Sequence, residues 1–243
     1  MVKKGKTLIT IILVFTAVIL FVALGILTVT STMLSNEEKE IEENKQLRIT
    51  QWLECEAEFQ KEKSLLVKTK DNLLEAFTVE EVELGQAVID EIITPDMNDY
   101  QKVKAIYDYI MKTVAYDYEA YLNEDCAGPE HQQPIGALRD GTAVCGGYAH
   151  TLELLCVLAD VDCIYVYGLS GLEGNRDPEE SRHAWNKVKI DDKWYNVDVT
   201  WDDSGSSGSY YYFLVSDDRF YVNHEVDGFL ITLIPESPEG YRK

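Results

Sequence analysis

The chain has 243 residues, 46% of them apolar and 27% charged, with 43 acidic against 22 basic side chains and a formal net charge of −21. That length supports one domain with a sizeable core plus an extension. The acidic excess excludes nucleic acid as a partner and argues against adhesion to anionic lipid, because both are polyanions that repel it.

Lys3, Lys4 and Lys6 precede a run from 8 to 29 that carries no charge. About 20 such residues suffice to cross a bilayer as a helix. The run continues into Thr30-Ser31-Thr32-Met33-Leu34 without a small-residue cleavage pattern, which favours an uncleaved anchor over a signal peptide. Basic flanks stay cytoplasmic, and all the acidic residues follow Asn36. The expectation is therefore a single-pass membrane protein whose C-terminal portion lies outside the cytoplasm. Three segments are expected: an anchor at 1–36, a helical juxtamembrane stalk at 37–95 and a catalytic domain at 96–243. From 37 to 77 the sequence is rich in Glu, Lys, Gln and Leu with few helix breakers. Ile41, Leu47, Trp52, Leu53 and Phe59 are too irregular for heptads, so this stretch reads as a solvated spacer.

Thr78 with Glu81 forms a capping-box signature, and Thr94-Pro95 closes the helix it opens. Asn98 with Gln101 opens the next helix, in which Val103, Ile106, Tyr107, Ile110 and Val114 recur at helical spacing. These are core positions, and Tyr107 and Tyr109 read as packing residues.

Cys145 sits where a loop, Arg139-Asp140-Gly141-Thr142-Ala143-Val144, meets the apolar run from Leu152 to Ala159. A cysteine at a helix N-terminus faces free backbone N–H groups and the positive end of the dipole, which favour thiolate. The same N–H groups suit the oxyanion of a tetrahedral intermediate. Gly146 and Gly147 let a substrate carbonyl approach the backbone. The five cysteines, Cys55, Cys126, Cys145, Cys156 and Cys163, form no Cys-x-x-Cys pair, so no zinc site is expected. Cys156 and Cys163 read as buried apolar residues, and nothing in the spacing supports a Cys55–Cys126 disulfide.

Cys163-Ile164-Tyr165-Val166-Tyr167 reads as a strand. A polar loop at 171–181 then leads to the strand that begins with His183-Ala184-Trp185. Asp191-Asp192 makes a two-residue turn into Lys193-Trp194-Tyr195-Asn196-Val197-Asp198. Pairing Ile190 with Lys193 places Asp198 opposite Trp185, so Asp198 becomes the diagonal neighbour of His183. Such Cβ atoms lie roughly 7–8 Å apart, within reach of an imidazole–carboxylate hydrogen bond. A Gly/Ser-rich loop at 202–209 precedes a further strand at 210–216. The order is that of an α+β fold, helices packed on an antiparallel sheet.

Val144-Cys145-Gly146-Gly147-Tyr148-Ala149, Arg182-His183-Ala184-Trp185-Asn186 and Trp194-Tyr195-Asn196-Val197-Asp198-Val199-Thr200-Trp201 together resemble the bacterial branch of the transglutaminase-like superfamily. The likeness covers 99–216. It implies a transglutaminase-like, papain-like fold with Cys145 as nucleophile, His183 as base and Asp198 as the group that orients the base. Gly146 departs from the polar residue, such as Gln, that many relatives carry. The second oxyanion donor stays unassigned among His131, Gln132 and Gln133. His131, His150 and His224 read as structural or surface residues.

The expected activity is cysteine-dependent acyl transfer on peptide or protein amides, cell-wall or surface-associated substrates among them. Water resolving the thioester makes a protease or amidase, and an amine makes a transglutaminase. The alternative is an inactive transglutaminase-like scaffold that binds a surface partner. No metal or organic cofactor is implied, and no calcium-loop pattern is present.

Overall fold

The computed structural model describes residues 2–122, 129–171, 181–203 and 210–242. Cys126 and most of the expected loops at 171–181 and 202–209 lie outside these residues. The chain divides into two units, Met1–Phe59 and Gln60–Lys243.

The first unit is helical. Helix α1 (Val2–Leu65) is continuous through the expected anchor and about half of the expected stalk. Between 8 and 65 the sequence holds one glycine and no proline to interrupt it. Phe21, Leu24, Leu47 and Trp52 are all exposed. The stretch from Ile19 is the one helix among the described residues long and apolar enough to cross a membrane.

The second unit runs α2 (Leu73–Ala76), α3 (Val79–Ile92), α4 (Asp99–Thr113), β1 (Ala115–Tyr116), α5 (Tyr118–Leu122), β2 (Thr142–Ala143) and α6 (Cys145–Leu158). It continues with β3 (Cys163–Ser170), β4 (Arg182–Ile190), β5 (Lys193–Val197), α7 (Val199–Asp203), α8 (Asp217–Phe220) and β6 (His224–Val226). Both expected capping boxes form. The Thr78 hydroxyl accepts from Glu81 N–H while the Glu81 carboxylate accepts from Thr78 N–H, and Asn98 and Gln101 exchange the same pair of bonds. Each cap is worth about 1 kcal/mol.

The four-stranded antiparallel sheet has the order β5-β4-β3-β6, and β1 with β2 forms a separate parallel pair. Helix α6 buries its whole length from Gly146 to Leu158 except His150. It shares one core with Val103, Ile106, Tyr107 and Ile110 of α4. Helix α3 joins that core through Val88 and Ile89, with Gly85 against Leu154 and Leu158 of α6. The folded unit therefore begins well before the expected boundary at 96, because α3 has an apolar face that only α6 and its neighbours cover.

The expected hairpin register holds from Ile190↔Lys193 to Asn186↔Val197. Asp191 and Asp192 take φ values of 51° and 61°, the left-handed pair that a two-residue hairpin turn requires. At the other edge of β3, Gly168 pairs with His183 of β4 and Val226 of β6. A Cβ at Gly168 would collide with the Glu225 carbonyl, so glycine lets β6 close onto the sheet.

Residues 210–216 differ from the expected strand. They make turns with a single bridge, Asn196↔Val215. The buried Asp202 carboxylate accepts the Tyr211 and Tyr212 N–H groups at 2.9 and 3.2 Å, and Leu214 takes φ 57°. The strand-like aromatic run thus loses to a side chain that captures the backbone donors.

Candidate active site

Cys145 is the first residue of α6, and Val144 before it provides no capping side chain. The N–H groups of the first turn are thereby left to a group at the cysteine. Cys145 is partly exposed, although Gly146 to Ala149 are buried. The fold brings it to the start of β4, where it meets the His183 ring and the Ala184 backbone N–H.

His183 and Asp198 are both buried. His183 Nε2 lies 2.7 Å from Asp198 Oδ2, so Nε2–H donates to the carboxylate and Nδ1 is the nitrogen left for the thiol. Asp198 follows β5 and leads into α7. Its Oδ1 accepts the Trp201 N–H at 3.1 Å, and its carbonyl oxygen lies 2.9 Å from the Tyr107 hydroxyl. That hydroxyl also reaches Asp202 at 2.6 Å. Tyr107, expected only to pack, therefore also ties α4 to the segment that carries the carboxylate.

Burial pushes the Cys145 thiol up, but the His183 imidazolium and the Ala184 N–H outweigh it and hold the thiol below its ordinary value. Burial pushes His183 down, and the Asp198 charge and hydrogen bond reverse this and raise it to about 10. Burial likewise opposes ionisation of Asp198, yet His183 and then His224 hold it well below the usual carboxylate range. These shifts all favour a thiolate–imidazolium pair beside a carboxylate. Tyr116 and Tyr165 are pushed up mainly by burial and next by the charge of Cys145, which places both near the sulfur.

The other expected residues separate clearly. His131 turns to Asp117, with Nδ1 and Oδ2 3.1 Å apart, and its carbonyl accepts the Val144 N–H. His150 stacks on Tyr165 at 4.0 Å. Gln132 is brought to the first turn of α6, where a Cβ at position 146 would collide with its Oε1. The glycine at 146 thus makes room for a side-chain amide supplied from upstream. Gln133 presents its carbonyl oxygen toward Gly147. Cys55, Cys156 and Cys163 are free thiols, the first exposed and the other two buried.

His224, expected as structural or surface, takes the structural place and has a partner that the sequence did not offer. It is fully buried, and its Nε2 lies 3.0 Å from the same Asp198 Oδ2 that receives His183. No local signal announces this, since β6 is three residues long and follows Asp198 by 26 positions. His183, Asp198 and His224 are also the one group of potential metal ligands among the described residues, with ligand atoms within 4.8 Å of one another. Their N···O separations of 2.7 and 3.0 Å are hydrogen-bond spacings, shorter than the roughly 3.3 Å between neighbouring ligands of a tetrahedral zinc with bonds of roughly 2.0 Å.

Residues 86–199 match the transglutaminase-like superfamily domain. The kyphoscoliosis peptidases of Mus musculus and Homo sapiens are each 31% identical to the chain over 118 residues, which is 47% of this chain and 17% of the relative. The chain thus spans about a sixth of the length of those curated relatives. Among solved structures, a TGase is similar over 55% of this chain and 33% of its own, with 21% identity and a TM-score of 0.43. A putative cysteine protease from Cytophaga hutchinsonii is similar over 49% and 37%, with 22% identity and a TM-score of 0.39. Over residues 86–199 this chain carries a transglutaminase-like domain, and its fold is α+β with helices packed on an antiparallel sheet.

Proposed function

We propose that this chain is a membrane-anchored, extracytoplasmic enzyme that uses Cys145, His183 and Asp198 for acyl transfer on peptide or protein amides. The observation that carries the reading is the placement of Cys145 at the uncapped start of α6 against His183, whose other nitrogen is held by Asp198. His183 Nδ1 takes the thiol proton and Sγ attacks the amide carbonyl carbon. The C–N bond then breaks, His183 returns the proton to the leaving amine, and an acyl thioester remains on Cys145. Water or a second amine releases the acyl group while His183 again acts as base. The Cys145 N–H and the side-chain amide of Gln132 are the two donors for the oxyanion.

The apolar stretch that begins at Ile19, with Lys3, Lys4 and Lys6 before it, supports the anchor and its orientation. Hydrolysis is the favoured outcome, because water needs no second binding subsite. The test is incubation of the full chain with a glutamine-containing peptide and a labelled amine, followed by mass spectrometry. Cleaved or deamidated peptide in excess of conjugate is expected, and conjugate in excess assigns transglutamination. Products that persist in Cys145→Ala overturn the reading.

A further inference from the structure

Asp198 Oδ2 accepts from two buried histidines, and the mechanism above uses only His183. The second, His224, enters from the opposite edge of the sheet. Ser170 of β3 pairs with His224, and Gly168 pairs with both His183 and Val226. The collision that a Cβ at Gly168 would make with the Glu225 carbonyl shows that close approach of β6 is what brings His224 to Asp198. The ring is clamped by aromatic groups, with Phe220 stacked at 4.0 Å and Trp201 at 4.7 Å.

Behind the ring a polar chain continues. His224 Nδ1 lies 2.9 Å from the Asn223 side-chain amide, with the Phe220 carbonyl farther off at 3.3 Å. The other end of that amide reaches the Tyr212 hydroxyl at 2.5 Å. The two ends of an asparagine amide exchange by rotation about one bond. In the structure Asn223 Nδ2–H donates to the Tyr212 hydroxyl and Asn223 Oδ1 faces His224 Nδ1; the exchanged amide lets a neutral ring keep both contacts, with Asn223 Nδ2–H donating to His224 Nδ1 and His224 Nε2–H to Asp198 Oδ2. Burial favours that neutral ring.

We propose that His224 is a positioning residue for Asp198, the buried end of a half-buried Tyr212–Asn223–His224 chain that fixes Oδ2 where His183 needs it. Asp198 is thereby held on three sides, by His183 and His224 at Oδ2 and by the Trp201 N–H at Oδ1. Without His224 the carboxylate keeps a single donor besides His183 and turns about its side-chain bonds. The His183 imidazolium, and with it the Cys145 thiolate, then loses a fixed counter-charge. This role rests on the acyl-transfer reading of the site.

The test is the rate of Cys145 alkylation by iodoacetamide at pH 6, read by mass spectrometry on the full chain in detergent micelles. It compares wild type, His183→Ala, His224→Phe and His224→Gln, with folding checked by circular dichroism. His224→Phe keeps the stacking ring and removes the donor, so the alkylation midpoint rises by about one unit, a slowing of about tenfold at any pH below both midpoints. His224→Gln restores an N–H and recovers most of that loss. A folded His224→Phe that alkylates as fast as wild type or faster overturns the role of His224 while leaving the His183 pairing intact. A wild-type Cys145 that behaves as an ordinary thiol overturns both. Wild-type chain labelled with ¹⁵N-histidine supplies a readout that needs no variant: an exchange-protected His224 Nε2–H signal is expected beside those of His183, and its absence overturns the proposal.

Discussion

Replacing Asp198 by Asn removes the negative charge on which the candidate site converges. The carboxylate accepts three hydrogen bonds, from His183 and His224 at Oδ2 and from the Trp201 N–H at Oδ1. Asparagine offers one oxygen and one NH₂ group, so in either orientation one end sets donor against donor. Breaking a buried charged pair costs about 3–5 kcal/mol. The rise of His183 from 6.5 to about 10 corresponds to about 5 kcal/mol at about 1.4 kcal/mol per unit, the same order. A loss of about 4 kcal/mol lowers Tm by roughly 10 °C in a unit of this size.

The pH dependence has a definite sign. Asp198 is depressed, so its contribution is complete above the ordinary carboxylate value and is lost as pH falls through the folded value. His183 is raised, so its contribution is complete below 6.5 and is lost as pH rises through about 10. The gap between wild type and Asp198→Asn should be widest between about pH 4 and 6.5, persist at neutrality and narrow toward both extremes. Thermal unfolding of the full chain in detergent, followed by circular dichroism from pH 3 to 10, reads this directly. Equal midpoints across that range would refute the electrostatic account of the site.

Other substitutions probe the supports. Gly146→Ala and Gln132→Ala should each slow acylation by an activated aryl ester about tenfold to a hundredfold, and the double variant should be no worse, because a Cβ at 146 displaces the Gln132 amide. Additive losses would separate the two residues. Gly168→Ala meets the Glu225 backbone, which cannot swing aside, so it should cost about 1–3 kcal/mol and slow Cys145 alkylation as His224→Phe does. Tyr107→Phe leaves the buried Asp202 carboxylate without its hydroxyl donor, a loss of about 1–3 kcal/mol visible as a lower Tm. Cys55 is an exposed free thiol, and a membrane-impermeant maleimide should label it in intact cells; labelling only after lysis would contradict the proposed orientation of the anchor.

What was legible in the sequence was local. The hairpin register follows from one turn and from strand alternation, so Asp198 could be placed beside His183 by counting from Asp191-Asp192. Both capping boxes and the start of α6 at Cys145 follow from side chains three or four residues apart. What was not legible depends on chain that returns from a distance. His224 reaches Asp198 only because β6 joins the far edge of β3, and Gln132 reaches Gly146 only after an intervening loop and the β2 strand. At 210–216 the run of aromatic and apolar residues pointed to a strand, but the buried acceptor that bends that backbone, Asp202, lies outside the run itself. The boundary expected at 96 missed α3 because its apolar face is short and its partner, α6, lies more than fifty residues downstream.

The central claim is a Cys145 thiolate made by His183. Site-resolved iodoacetamide alkylation of the full chain from pH 5 to 9, in wild type and His183→Ala, tests it most directly. The account predicts fast, selective labelling of Cys145 at a pH where ordinary thiols are still protonated, with the midpoint moved upward in the variant. Slow labelling of Cys145 with the same profile in both proteins would contradict it.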